Sequence, residues 1–183
     1  STITQQLARN IFLGYEKTYS RKIKEMFIAV ALEQKYTKQD ILEFYLNNVY
    51  FANGYYGIES ASEAYFNKKA KDLSISQIAF LCSIPNSPGR YDPYKHKDST
   101  IKRRDRILKN MYEDGYISQS QYEKSVDENI TIMPKKETTT NDYAETYILK
   151  CATEALMKEQ GFEFKTTFSS TSEKESYNNE YDE

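Results

Sequence analysis

The sequence predicts an all-α domain over residues 1–129, and three observations carry it. Apolar residues recur at helical spacing through successive segments. Most of those segments open on a residue that caps helices well. Alternation of strand type is scarce, and only residues 162–168 could form a strand. Residues 130–141 (ITIMPKKETTTN) read as a linker, and 142–183 as a further helix running into a polar, acidic tail.

The elements follow in order. Ile3, Leu7 and Ile11 lie on one face of a first helix that Gly14 can close. Ser20 can cap a second, with Ile23, Phe27 and Val30 as its apolar face. Thr37, with Asp40 three residues on, approximates a capping box for a third. The buried face of that helix is expected to be Ile41, Leu42, Tyr45, Leu46 and Val49. Gly54 and Gly57 bracket a break before a short helix from Ile58 to Phe66. Ser74 and Gln77 form a capping box, stapled by Leu73 and Ile78. That helix runs apolar through Ile78, Ala79, Phe80, Leu81 and Cys82, which makes it central, and Pro85 stops it. Ser99 opens a helix ending near Gly115, with Ile101, Leu108 and Met111 inward, and Ser118 with Gln121 caps another. Asn141 or Asp142 can start a last helix that Gly161 ends.

Cys82 and Cys151 are too few for a disulfide scaffold or a cysteine zinc site, and both read as core thiols. His96, the sole histidine, sits in a polar loop and reads as a surface residue. No apolar run approaches the ~18–20 residues of a membrane span, and no stretch of these residues reads as a signal peptide. The net charge of −2 hides an asymmetry. Residues 1–111 carry 18 basic and 11 acidic side chains, and 112–183 carry 7 basic and 16 acidic. A basic half suits an anionic partner such as phosphate, nucleic acid or anionic lipid; it also suits a plain solvated surface.

One local rule is broken. Helix N-termini disfavour cations, by about 0.3–1 kcal/mol each, yet the second helix opens on Arg21, Lys22 and Lys24, with Lys17 just upstream. Such a conflict fits a functional site, and cations at a helix N-terminus fit phosphate. The plainer alternative is surface lysine with an Arg21–Glu25 pair at i,i+4. Glu25 could orient those cations or bind a metal. Ser1, Thr2, Thr4, Gln5 and Gln6, with Arg9 further on, could bind a sugar or phosphate or merely cap the first helix.

The spelling adds a resemblance. S-T-I-T-Q-Q-L-A-R-N at 1–10 resembles the second signature motif of family 51 peptidoglycan glycosyltransferases, the transglycosylase domains of class A bifunctional penicillin-binding proteins. R-K-I-K-E at 21–25 resembles their third motif, I-L-E-F-Y-L-N-N-V-Y-F-A-N-G-Y-Y-G-I-E-S-A at 41–61 the fourth, and I-A-F-L-C-S-I-P-N-S-P-G-R-Y-D-P at 78–93 the fifth. R-R-D-R-I-L-K-N-M at 103–111 continues the likeness, which spans about residues 1–125.

The resemblance implies a lysozyme-like fold, incomplete at the N-terminus, on the outer face of the bacterial cytoplasmic membrane. It implies polymerisation of lipid II into glycan strands. The acceptor 4-hydroxyl attacks the donor's anomeric carbon with inversion, and undecaprenyl pyrophosphate leaves. The implied partners are lipid II, the nascent glycan chain, the membrane surface and other cell-wall synthesis proteins, but not nucleic acid. By the same resemblance Gln6, Arg9, Lys17, Arg21 and Lys22 contact substrate and phosphate, and Asn47 and Tyr50 line the cleft. Glu25 matches the second essential Glu, which assists at the pyrophosphate; a divalent metal (Mg or Mn) is allowed there, and no organic cofactor is implied.

There are departures from the family pattern. Arg9 stands where Lys is usual, Lys17 where Arg is common, and Ala52 where Gly is usual, which strains a turn if positive φ is needed there. The first motif, with the principal catalytic Glu, precedes the second. The general base and the anchor are therefore expected to lie outside these residues, and the fragment alone to be inactive or impaired. The stretch from about 142 resembles the approach to a transpeptidase region, and no transpeptidase serine motif is read in the chain. Two other readings stay open: a non-catalytic module binding lipid pyrophosphate, and a lysozyme-like glycan-cleaving enzyme.

Overall fold

A computed structural model describes residues 2–13 and 18–135. Among them seven α-helices form, with no strand: α1 (Ile3–Phe12), α2 (Tyr19–Lys35), α3 (Lys38–Asn48), α4 (Ile58–Phe66), α5 (Ile75–Ser83), α6 (Lys97–Glu113) and α7 (Gln119–Asp127). A 3-10 turn, Ala70–Asp72, precedes α5. Gly14, Lys17, Cys151 and the expected helix and strand beyond residue 141 lie outside the described residues.

Local chemistry explains the helix starts. Thr2 caps α1 by accepting from the Gln5 amide at 3.1 Å. Thr37 with Asp40, Ser74 with Gln77 and Ser118 with Gln121 all form reciprocal capping boxes. Two expected caps shift. Thr18, not Ser20, caps α2, accepting from Arg21 N at 3.2 Å. The Ser99 helix starts earlier, with His96 at the N-cap making no side-chain bond. The Thr37 hydroxyl and amide donate to Asp40 and hold its carboxyl below the usual carboxylate range. A lowered folded-state value means the cap's contribution is full above the ordinary Asp range and is lost as pH falls through it. Urea unfolding of Asp40→Asn should therefore approach wild type in acid and fall below it at neutral pH.

Three apolar clusters hold the helices. Leu7, Ala8 and Ile11 of α1 pack on Leu32 of α2 and Ile41 of α3. Val49, Phe51, Ala52 and Tyr55 pack on α4, on Phe80 and Leu81 of α5, and on Ile130. Ala79, Leu108 and Ile117 join α5, α6 and the start of α7. Each fully buried Leu, Ile or Phe is worth about 1.5–3 kcal/mol. The packed chain extends beyond the expected linker boundary: Ile130 is buried, and the Met133 amide donates to Tyr65 O at 2.8 Å.

Several faces turn otherwise than expected. Ile23, Phe27 and Val30 are exposed, while α2 buries Glu25, Ala29 and Leu32. Periodicity shows that a helix has an apolar face but not which face meets a neighbour. On α3 only Ile41 is buried and Leu42 is exposed, while Val49, at its C-cap, is buried as expected. Ile78 and Cys82 are exposed on α5, whose buried face is narrower than its apolar run, so Cys82 is not a core thiol. His96 is exposed, as expected.

The turn from Val49 to Gly57 carries the most backbone strain. Ala52, Asn53 and Gly54 all have positive φ, of 65°, 54° and 87°. The strain expected from Ala52 in place of Gly is therefore present. Tyr65 holds the turn: its hydroxyl donates to Phe51 O at 2.8 Å and accepts from Asn53 Nδ2 at 3.0 Å. Asn53 also donates to Asp92 at 2.9 Å. Gly57 has φ +82°, and a Cβ there would stand 2.7 Å from the Asn47 carbonyl oxygen. Gly57→Ala should cost at least about 1–3 kcal/mol in chemical denaturation.

Candidate anion-binding site

Helices α1 and α2 are joined as an antiparallel pair. The Thr4 hydroxyl on the first turn of α1 donates at 2.7 Å to Glu33 near the far end of α2. Arg9 lies further along α1 than Thr4, on the side nearer the start of α2.

The opening of α2 is built around a buried carboxylate. Glu25 is 1% exposed. Arg21 Nη1 donates to its Oε1, and Lys22 Nζ donates to its Oε2 at 2.6 Å. The i,i+4 pair expected from the sequence is present, but it is more than a surface pair. The Glu25 side chain is 2% exposed, against 18% for Arg21 and 45% for Lys22. One buried anion thus fixes two more exposed cations at a helix N-terminus. That end carries about +0.5 of an elementary charge, so the site is net positive.

A second polar group lies between α1 and α3, with Cys82 of α5 nearby. The Tyr45 hydroxyl donates to Gln6 Oε1 at 3.3 Å, which leaves the Gln6 amide N–H groups as donors. Burial pushes the Tyr45 hydroxyl above the usual phenol range; neighbouring Cys82 adds to this and Arg9 opposes it. Cys82 meets solvent at its surface, yet the groups packed around its sulfur desolvate the thiol enough to push it up, so it is not poised as a thiolate nucleophile. Arg9 Nε is buried without a hydrogen-bond partner among the described residues. Asn47 is exposed, and Tyr50 packs on Tyr56 with ring centroids 4.7 Å apart in the strained turn after α3. Of the expected site residues, the structure therefore groups Arg21, Lys22 and Glu25, places Gln6 and Arg9 around Tyr45, and holds Asn47 in the last turn of α3 with Tyr50 in the turn that follows.

Sequence reasoning missed Tyr45 as the polar partner of Gln6, because its helical spacing marked it as core. The signal was its polar tip: a half-buried Tyr hydroxyl needs a partner. One S-x-x-K spelling also occurs, at Ser99, Thr100, Ile101 and Lys102, contrary to the reading that no such motif is present. It lies inside α6, where the Thr100 hydroxyl donates to His96 O and Lys102 is exposed.

The residues around Glu25 do not fit a divalent cation. Both carboxylate oxygens already accept from cations. Among the described residues no group of three His, Cys, Asp or Glu could hold a metal. No helix of the described residues is long and apolar enough to cross a membrane.

Comparison with known proteins gives this site its context. The family model described as Transglycosylase matches residues 1–112. Penicillin-binding protein 4 of Bacillus subtilis is 42% identical over 98% of this chain and 29% of its own length. Penicillin-binding protein 1F of the same organism is 54% identical over 64% of this chain and 16% of its own. The crystal structure of penicillin-binding protein 1A from Haemophilus influenzae shares the fold, with a TM-score of 0.51 at 20% identity over 88% of this chain and 20% of that one. The chain thus spans less than a third of the length of these relatives. With a family model covering more than half of its residues, the chain belongs to the transglycosylase family.

Proposed function

We propose that this chain is the pyrophosphate-binding part of a peptidoglycan glycosyltransferase, which extends glycan strands from lipid II at the outer face of the bacterial cytoplasmic membrane. The observation that carries the reading is the buried Glu25 clamp, which fixes Arg21 and Lys22 at the opening of α2. Membership of the transglycosylase family supports the reaction class.

In this reading the α2 N-terminus, Arg21 and Lys22 receive the two phosphates of the donor. The Gln6 amide and the Arg9 guanidinium supply further donors. As the anomeric carbon–oxygen bond breaks, negative charge grows on the leaving pyrophosphate. Cations already held in place stabilise that charge without reorganising during the step. Glu25 acts as a positioning residue: it touches the cations, and they touch the phosphate. The general base that takes the acceptor's proton is not assigned to a residue of this chain, and no step is routed through a metal.

The test compares lipid-linked pyrophosphate with the same polyprenol lacking phosphate, both in detergent, by calorimetry. Binding of the pyrophosphate alone supports the reading; equal affinity for the two lipids would sink it. Incubating the polypeptide with lipid II and resolving glycan products measures transfer separately.

A further inference from the structure

We propose that Arg90 and Arg103, gathered over the ring of Tyr91, form a second anion site that takes a phosphate dianion, free or as a monoester. The site uses none of the residues of the α2 clamp and does not rest on the pyrophosphate reading above.

Residues 90–109 carry eight Lys and Arg against three Asp. Two of those carboxylates are engaged elsewhere. Asp92 is buried and accepts from Asn53 Nδ2 and from the Tyr94 amide, both at 2.9 Å. Asp105 pairs with Arg104. Neither Arg90 nor Arg103 forms an ion pair with a described residue. Yet the fold brings both to one ring. The guanidinium carbon of Arg90 lies 5.6 Å from the Tyr91 ring centroid, and that of Arg103 5.1 Å. Like charges repel, so gathering two cations without a carboxylate costs free energy, which the negative face of the ring offsets only in part.

The three side chains stand on fixed backbone. Arg103 is in the middle of α6, next to buried Arg104. The Arg90 and Tyr91 amides both donate to Ser87 O, at 3.0 and 2.9 Å, and Pro85, Pro88 and Pro93 restrict the loop that carries them. A guanidinium set over a ring is oriented without using its N–H donors on a carboxylate. Arg90 is exposed, so its donors reach solvent. On Arg103 the Nε is covered, and the guanidinium makes no hydrogen bond with a described residue. Two guanidinium forks call for more acceptors than the two oxygens of a carboxylate, and a phosphate monoester presents three.

The covered Arg103 Nε–H is a natural reporter, since it is shielded from exchange with water. Its signal in a nitrogen–proton correlation spectrum is assigned by its loss in Arg103→Lys. The chain is titrated with inorganic phosphate and with glycerol phosphate, at constant ionic strength and mildly alkaline pH, where both are dianions. All measurements are made in an Arg21→Ala background, which disables the α2 clamp. The expected result is a saturating shift with phosphate and none with chloride; a response to only one of the two phosphates identifies whether the free ion or the ester is the ligand. Arg90→Gln should weaken binding by about 10-fold. Tyr91→Phe keeps the ring and should bind as the wild type does. Tyr91→Leu leaves every charge in place and should weaken binding by about 3- to 10-fold. A shift that never saturates, an equal response to chloride, or wild-type binding by a Tyr91→Leu protein with an unchanged circular dichroism spectrum overturns the proposal and leaves an ordinary solvated basic face. Should Tyr91→Leu fail to fold, Arg90→Gln on the exposed loop decides: undiminished binding there overturns the proposal equally.

Discussion

Replacing Arg104 by Met is expected to cost the domain about 3–5 kcal/mol. Arg104 is 4% exposed and lies in the middle of α6. Its Nη1 donates to Ser76 Oγ at 3.2 Å and to Glu128 O at 3.0 Å, and its Nη2 to Val126 O at 3.1 Å. Nε donates to Asp105 at 2.8 Å. One guanidinium thus ties α5 to α6 and satisfies carbonyls at the end of α7. Met fills a similar volume but leaves those acceptors buried and unpaired, at about 1–3 kcal/mol for each that water cannot reach. Typical domains have only 5–15 kcal/mol to lose. The denaturant midpoint should fall sharply with an unchanged m-value. Arg104→Lys should recover part of the loss, since an ammonium cannot reproduce the planar fork. A loss below about 1 kcal/mol would mean that the carbonyls find other donors.

That residue also shows where sequence reading stops. Lys102, Arg103, Arg104 and Arg106 form a basic run, and basic runs usually mark solvated faces. Arg104 is buried because its partners lie 22 to 28 residues away in the chain, and no local pattern encodes them. Features that depend on a few adjacent residues were legible. The capping boxes at Thr37, Ser74 and Ser118 form as expected, and the break at Gly54 and Gly57 falls in place. The strain at Ala52 was legible too, since a residue with a Cβ stood where the family pattern has none. Helix α2 was readable only in part. Its two apolar faces share one period, and the more hydrophobic was expected inside. The core instead took the face with Glu25, whose charge is matched by Arg21 and Lys22 within the same two turns. The cations at the start of α2 were correctly marked as a conflict with the helix dipole. The carboxylate that gathers them was visible as a spacing, but not as a buried group.

The second large effect concerns Arg21. Arg21→Ala removes a fixed guanidinium from the opening of α2. It should weaken binding of lipid-linked pyrophosphate by roughly 10- to 100-fold, the value of one or two charge-assisted hydrogen bonds at about 1.5–3 kcal/mol. Lys22→Ala should cost less, because its side chain is more exposed. Both variants should bind an uncharged polyprenol as the wild type does. Titration calorimetry at two salt concentrations checks the electrostatic origin, since the difference between wild type and Arg21→Ala should shrink as salt rises.

Glu25 tests the central claim through the sign of one change. If the site were a simple pool of positive charge, removing a nearby carboxylate would strengthen phosphate binding. If Glu25 works by holding Arg21 and Lys22 in place, removing its charge loosens its hold on both cations and costs preorganisation. The direct measurement is the affinity of Glu25→Gln for lipid-linked pyrophosphate, compared with wild type under the same conditions and with folding checked by circular dichroism. The clamp predicts weaker binding by several-fold; tighter binding would contradict it.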